Sequence, residues 1–159
     1  MKIAIVKSNF YSDLSANLFK GAKEEFIKQG GVDENIEIFD VPGAFEVPSA
    51  VSKILVDSSL KFDAVVDRGS LTHNSTASIK ECLTVLKDKM NQKSFYFGVD
   101  LFSTEHSSFK LGEKVDEFTR KNINTKQFKG VGNVHFFSKD HIYELFEAKS
   151  FKILELEHV

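Results

Sequence analysis

The 159-residue chain has one cysteine, no tryptophan and two prolines, and its 21 basic residues are nearly balanced by 23 acidic ones, leaving a net charge of −2. Each shortage removes a class of protein. A single thiol, Cys82, cannot close an internal disulfide, and its apolar position in a helical pattern reads as a small buried side chain rather than a nucleophile. Charges of both signs are interspersed, so no basic face is available for nucleic acid or an anionic membrane surface. No apolar run is long enough for a signal or transmembrane segment. Met1-Lys2 leads straight into Ile3-Ala4-Ile5-Val6, and the expected location is the cytoplasm. No cluster of Cys, His and Asp has metal-ligand spacing, so no metal site is expected. The length fits a single domain over residues 1–159, given the usual roughly 100–200 residues per domain.

What is present is an alternation of strand and helix patterns. Lys2–Lys7 is β-rich, and Asp13–Gln29 reads as a helix with Leu14, Leu18, Ala22 and Phe26 on one stripe, closed by Gly30-Gly31. Ile36–Val41 is a second strand, followed by a helix of about Phe45–Ser58. Phe62–Val66 and Ser94–Leu101 read as further strands, separated by a helix over Ser75–Met90 with Ile79, Cys82, Leu83, Leu86 and Met90 facing inward. Repeated βα units predict an α/β fold, a three-layer α/β/α sandwich around a parallel sheet of four or five strands. Beyond Leu101 the pattern weakens: a charged stretch, Ser107–Asn124, predicts helix around Val115–Phe118, Asn133–Phe137 a strand, and Lys139–Ala148 a short helix. Ligands of such sheets bind outside the carboxyl ends of the strands, which directs attention to Ser8–Tyr11, Pro42–Glu46, Arg68–Thr76 and Phe97–Thr104.

The segment Asp40-Val41-Pro42-Gly43-Ala44-Phe45-Glu46-Val47-Pro48-Ser49 holds both prolines. Pro42 fixes φ near −65° and Gly43 reaches backbone angles closed to other residues, so the turn is pre-shaped and its amides are approachable. Its run V-P-G-A-F-E-V-P resembles the hallmark loop of the lumazine synthases of riboflavin biosynthesis. Ser8-Asn9-Phe10-Tyr11 resembles the family's S-x-F-N strand end, with Tyr11 in place of Asn, and Phe97-Gly98-Val99 resembles its F-G-V. The resemblance covers about Ile3–Thr104. It implies a flavodoxin-like fold and a pyrimidine site formed by Phe10, Ala44, Phe45, Glu46 and Phe97, with the rings of Phe10 and Phe97 stacking on the heterocycle.

In the stretch Asp67-Arg68-Gly69-Ser70-Leu71-Thr72-His73-Asn74-Ser75-Thr76 two alignments stay open. In one, Arg68–His73 overlays the family's R-G-x-x-x-H, His73 is the catalytic proton shuttle, and Ser70, Leu71 and Thr72 line the substrate. In the other, Gly69 closes the family's A-L-G, Ser75-Thr76 fall on its phosphate-binding pair, and His73 replaces an arginine. Ser75 and Thr76 at a helix start suit phosphate either way, because free amides and the helix dipole converge there, although N-capping alone also accounts for them. The family's phosphate-binding arginine has no counterpart after the fourth strand. Lys110 or Lys114 would substitute as point charges, and Arg120 is the only late arginine.

The resemblance implies a cofactor-independent transferase. It would condense 5-amino-6-(ribitylamino)uracil with the sugar phosphate 3,4-dihydroxy-2-butanone 4-phosphate to 6,7-dimethyl-8-ribityllumazine, working as a homo-oligomer, a pentamer or pentamer-based shell. Such chemistry needs orientation, a phosphate anchor and one group that moves protons near neutral pH, the range in which histidine changes charge. A second reading is a catalytically weakened homologue that binds a flavin, lumazine or related heterocycle without making one.

Overall fold

The structure, a computed structural model, describes residues 3–43, 46–57 and 61–157. The chain divides into two compact units, Met1–Asp63 with Asn91–Ser94, and Ala64–Met90 with Phe95–Val159.

In the first unit, β1 (Ile3–Ser8) and β2 (Ile36–Val41) pair in parallel, from Ile3 opposite Ile36 to Ser8 opposite Val41. Parallel neighbours require a crossover, supplied by α1 (Ser12–Lys28). The stripe of α1 that is buried runs through Ser15 and Phe26, whereas Leu14, Leu18 and Ala22 are exposed, so the helix is turned by about one residue from the apolar spacing of its leucines. Phe26 folds its ring over Gly31, leaving no room there for a Cβ. The helix α2 (Val47–Asp57) follows the Pro-Gly turn.

Strands β3 (Phe62–Arg68) and β4 (Met90–Val99) form a second two-stranded sheet. Within the second unit, α3 (Thr76–Lys89) buries Ile79, Leu83 and Leu86 and leads into the buried Met90, as expected from their spacing, while Cys82 is half-buried. A four-stranded sheet completes this unit in the order β5 (Phe102–Ser103), β8 (Val134–Phe137), β7 (Thr119–Lys121), β6 (Glu113–Lys114). Here β5 and β8 are parallel and the other two pairs antiparallel. All four residues of β8 are buried, and Val134 and Phe136 pack with Ile123 and Phe128 into a core. The last helix, α4 (Lys139–Glu147), is capped by Ser138 Oγ, which accepts from the His141 amide at 3.1 Å, and it buries Leu145 and Phe146.

Helices and parallel strand pairs make this an α/β fold, and the strand pairings among the described residues form three sheets, the last of them mixed. One expectation is corrected. The segment around Val115–Phe118 is not helix but the turn between β6 and β7. Asp116 accepts there from the amides of Phe118 (2.9 Å) and Thr119 (2.8 Å), a local bond that competes with helix for the same donors. No helix among the described residues is long and apolar enough to cross a membrane.

Candidate functional site

In the first unit the carboxyl ends of β1 and β2 are tied by the Asn9 amide donating to the Val41 carbonyl at 2.8 Å. Beyond that bond, Phe10 stands 71% exposed, edge-on to Tyr11 with ring centroids 4.8 Å apart, so its ring is a free face rather than a lid on the core. Glu46 is also exposed. Its amide donates to the Gly43 carbonyl at 3.3 Å, and its carboxylate lies against Gly43, within 3.0 Å of where a Cβ would sit. Glycine is what lets that carboxylate lie over the turn. Ala44 and Phe45 lie outside the described residues.

In the second unit the connection from β3 to α3 starts with Gly69 at φ +69, a left-handed conformation that only glycine adopts cheaply. The buried Asp67 organises the rest of this connection. Its carboxylate accepts from the Ser70 amide (2.9 Å), the Ser70 hydroxyl (2.5 Å), the Leu71 amide (3.4 Å) and the Tyr96 hydroxyl (3.0 Å). Burial, reinforced by the Asp67 charge, pushes the Tyr96 phenol far above its ordinary pKa, so it stays a donor. Leu71 and Thr72 are buried, with the Thr72 hydroxyl donating to the Gly69 carbonyl. Their side chains therefore point inward rather than to solvent, and the exposed side chains of the loop are those of Ser70 and His73. Sequence reasoning passed over Asp67. The one signal was an acidic residue at an apolar strand's end, three positions before a serine. Asp67→Ala strands several donors at once and is expected to cost about 2–4 kcal/mol, read as a lower urea midpoint with unchanged slope. A loss below about half a kcal/mol would mean that the loop is held by something else.

His73 closes a 3-10 turn, its amide donating to the Ser70 carbonyl at 3.3 Å. Its Nδ1 faces the Asn133 carbonyl at 3.4 Å, a contact in which Nδ1 donates and which leaves Nε2 without a part in it. Phe97, on β4, is 53% exposed beside Phe95, ring centroids 6.1 Å apart.

Ser75 is the N-cap of α3, its hydroxyl accepting from the Ser78 amide at 3.3 Å. The Thr76 amide, an expected phosphate donor, instead donates to Asp116 Oδ2 at 2.9 Å. Lys110 and Lys114 are exposed, and among the described residues neither is bonded to Ser75 or Thr76. Arg120 is spoken for: its guanidinium donates to the carbonyls of Phe109, Asp116, Glu117 and Thr119 and lies 4.4 Å from the centroid of the Phe109 ring. It braces the β6–β7 turn and has no free fork for phosphate. Among the described residues no group of three or more His, Cys, Asp or Glu is placed to hold a metal ion.

A family profile for 6,7-dimethyl-8-ribityllumazine synthase matches residues 1–99. Among curated proteins, the 6,7-dimethyl-8-ribityllumazine synthase of Campylobacter fetus subsp. fetus is 43% identical over 75 residues, covering 47% of each chain. Those of Sulfurospirillum multivorans and Nitratiruptor sp. are 39% and 40% identical over the same length, again covering 47% of each chain. The chain thus spans about half the length of the curated relatives it matches. No solved structure matches it significantly.

Proposed function

Because the chain belongs to the 6,7-dimethyl-8-ribityllumazine synthase family, we propose that it acts in riboflavin biosynthesis, condensing 5-amino-6-(ribitylamino)uracil with 3,4-dihydroxy-2-butanone 4-phosphate. The observation that carries the proposal is the family match over residues 1–99, which contains the Pro-Gly loop and every strand end whose exposed rings and polar groups suit these substrates. Phe10 and Phe97 offer aromatic faces for the pyrimidine, a contact worth about 1–3 kcal/mol per base. The Ala44–Glu46 backbone and the Glu46 carboxylate suit the ribityl hydroxyls. Ser70, with the backbone of Leu71 and Thr72, borders the reacting groups, and Ser75 and Thr76 receive the phosphate, with Lys110 or Lys114 as the cation.

The chemistry asks little of the protein. The substrate amine attacks the ketone to form an imine with loss of water, phosphate is eliminated, and the second amine closes the ring on the remaining carbonyl with loss of a second water. His73 is the group proposed to move protons among these steps, through the Nε2 that the Asn133 contact leaves free. Assembly as a homo-oligomer, a pentamer or pentamer-based shell, belongs to the same proposal. The second reading, a homologue that binds a flavin, lumazine or related heterocycle without turnover, draws its support from one observation, the carboxylate of Asp116 on the Thr76 amide. Expression in a bacterium that requires riboflavin for want of this enzyme separates the two. Growth without riboflavin is expected, and continued dependence despite soluble expression favours the binding homologue.

A further inference from the structure

The N-terminus of α3 already holds an anion. Asp116 Oδ2 accepts from the Thr76 amide at 2.9 Å and from the Thr119 hydroxyl at 2.9 Å, while Oδ1 takes the amides of Phe118 and Thr119. Burial raises the pKa of this carboxyl, but the Thr76 amide, the Thr119 hydroxyl and the Phe118 amide outweigh it and hold the group at about 2, fully charged at neutral pH. The clamp is braced from behind. A carboxylate only accepts, so the one proton of the Thr119 hydroxyl goes to Asp116, and His135 Nδ1, 2.8 Å away, must donate to Thr119. His135 Nε2 then accepts from His141 Nε2 at 3.2 Å. The Thr76 hydroxyl oxygen is shielded from solvent beside the same carboxylate and makes no well-formed hydrogen bond there. An anion with more oxygens than a carboxylate would use it.

We propose that Asp116 is a built-in occupant of the phosphate seat at the start of α3, so that an incoming phosphoryl group binds only by displacing the turn at Val115–Phe118. This inference rests on the proposed assignment of that helix terminus to phosphate, and it adds a device that holds the site closed until a competing dianion arrives. A lone surface carboxylate would be a weak competitor. This one is preorganised by donors from the turn itself and by a buried histidine pair, so the unliganded protein keeps the seat filled without ordering cost.

Titration with inorganic phosphate, followed by backbone amide NMR, tests the inference without reference to turnover. In the unmutated protein the amides of Thr76, Phe118 and Thr119 are expected to shift together, because displacement breaks all three bonds to Asp116. In Asp116→Asn, which keeps an acceptor for the turn but loses the charge, phosphate should bind at Thr76 at least tenfold more tightly. Asp116→Ser, which also retains an acceptor, serves if the first variant does not fold, and Thr76→Pro added to either variant should abolish the gain by removing the amide at a position where proline is tolerated. Phosphate saturating the Thr76 amide while Phe118 and Thr119 stay unmoved, or equal affinity in the unmutated and mutated chains, would overturn it. A chain that gains phosphate affinity in this way and still makes no lumazine contradicts the proposed function and leaves this inference standing.

Discussion

Lowering the pH from 7 to 4 is expected to remove about 3 kcal/mol of stability through His135, at about 1.4 kcal/mol per unit of pKa shift. The ring is fully buried between Thr119 and His141, with Phe137 edge-on at 4.4 Å. Desolvation, followed by the neighbouring His141, lowers its pKa from 6.5 to about 4, against a smaller upward pull from Asp116. In the unfolded chain the same ring takes up a proton near its ordinary value. Between about pH 6.5 and 4 the unfolded state therefore binds more protons, so stability is complete above that window and falls as the pH drops through it.

His141 acts in the same direction, also through desolvation, with Glu144 opposing and Lys80 assisting. Its Nδ1 is buried without a hydrogen-bond partner, 3.8 Å from Glu144 Oε2, because its single N–H is committed to His135. Below this window Asp116 contributes in turn, since its stabilisation is lost as the pH falls from 3.8 toward about 2. Urea unfolding at stepped pH checks the first loss: the midpoint should fall steadily between about pH 6.5 and 4.5, and more gently in His135→Gln. A midpoint that is flat across that range would show that His135 is not held neutral by the fold.

The second large effect is on rate. His73→Ala is expected to lower kcat about 10²-fold, the low end of what a positioned acid or base contributes, because this condensation already has appreciable reactivity of its own. His73 is exposed and lies outside the hydrophobic core, so fold and melting temperature should stay nearly unchanged. The pH–rate profile discriminates its roles. A proton shuttle gives the unmutated protein a limb in that profile that the variant lacks. If His73 instead replaces the family's arginine and only binds substrate, the variant keeps that limb and shows a raised KM with kcat little changed.

The helices and strands that were legible in the sequence are those whose local pattern and packing agree. Ile36–Val41 is a strand with the expected bounds, and the Ile79, Leu83, Leu86 spacing on α3 is buried as its period requires. α1 was legible as a helix but not in its orientation, because Leu14 and Leu18 advertise one face while Ser15 and Phe26 are the buried ones. Around Asp116 the sequence misleads. Charged residues spaced as in a solvated helix instead form a turn, since the carboxylate captures amides ahead of it and, across a long sequence gap, the Thr76 amide. No periodicity reports a contact between residues that far apart. The rings of Phe10 and Phe97 stood out in the sequence as aromatic residues at strand ends that a core does not explain, and both are exposed. Asp67, Asp116 and the His135–His141 pair did not stand out, because each looks like an ordinary polar residue until its partners are known.

Lumazine synthesis by this chain is tested most directly by mixing the purified protein with 5-amino-6-(ribitylamino)uracil and 3,4-dihydroxy-2-butanone 4-phosphate and following lumazine absorbance and fluorescence against the protein-free reaction. Formation of 6,7-dimethyl-8-ribityllumazine in proportion to protein, with release of one inorganic phosphate per lumazine, is the predicted result. A rate indistinguishable from the uncatalysed reaction, from protein shown to be folded, would contradict it.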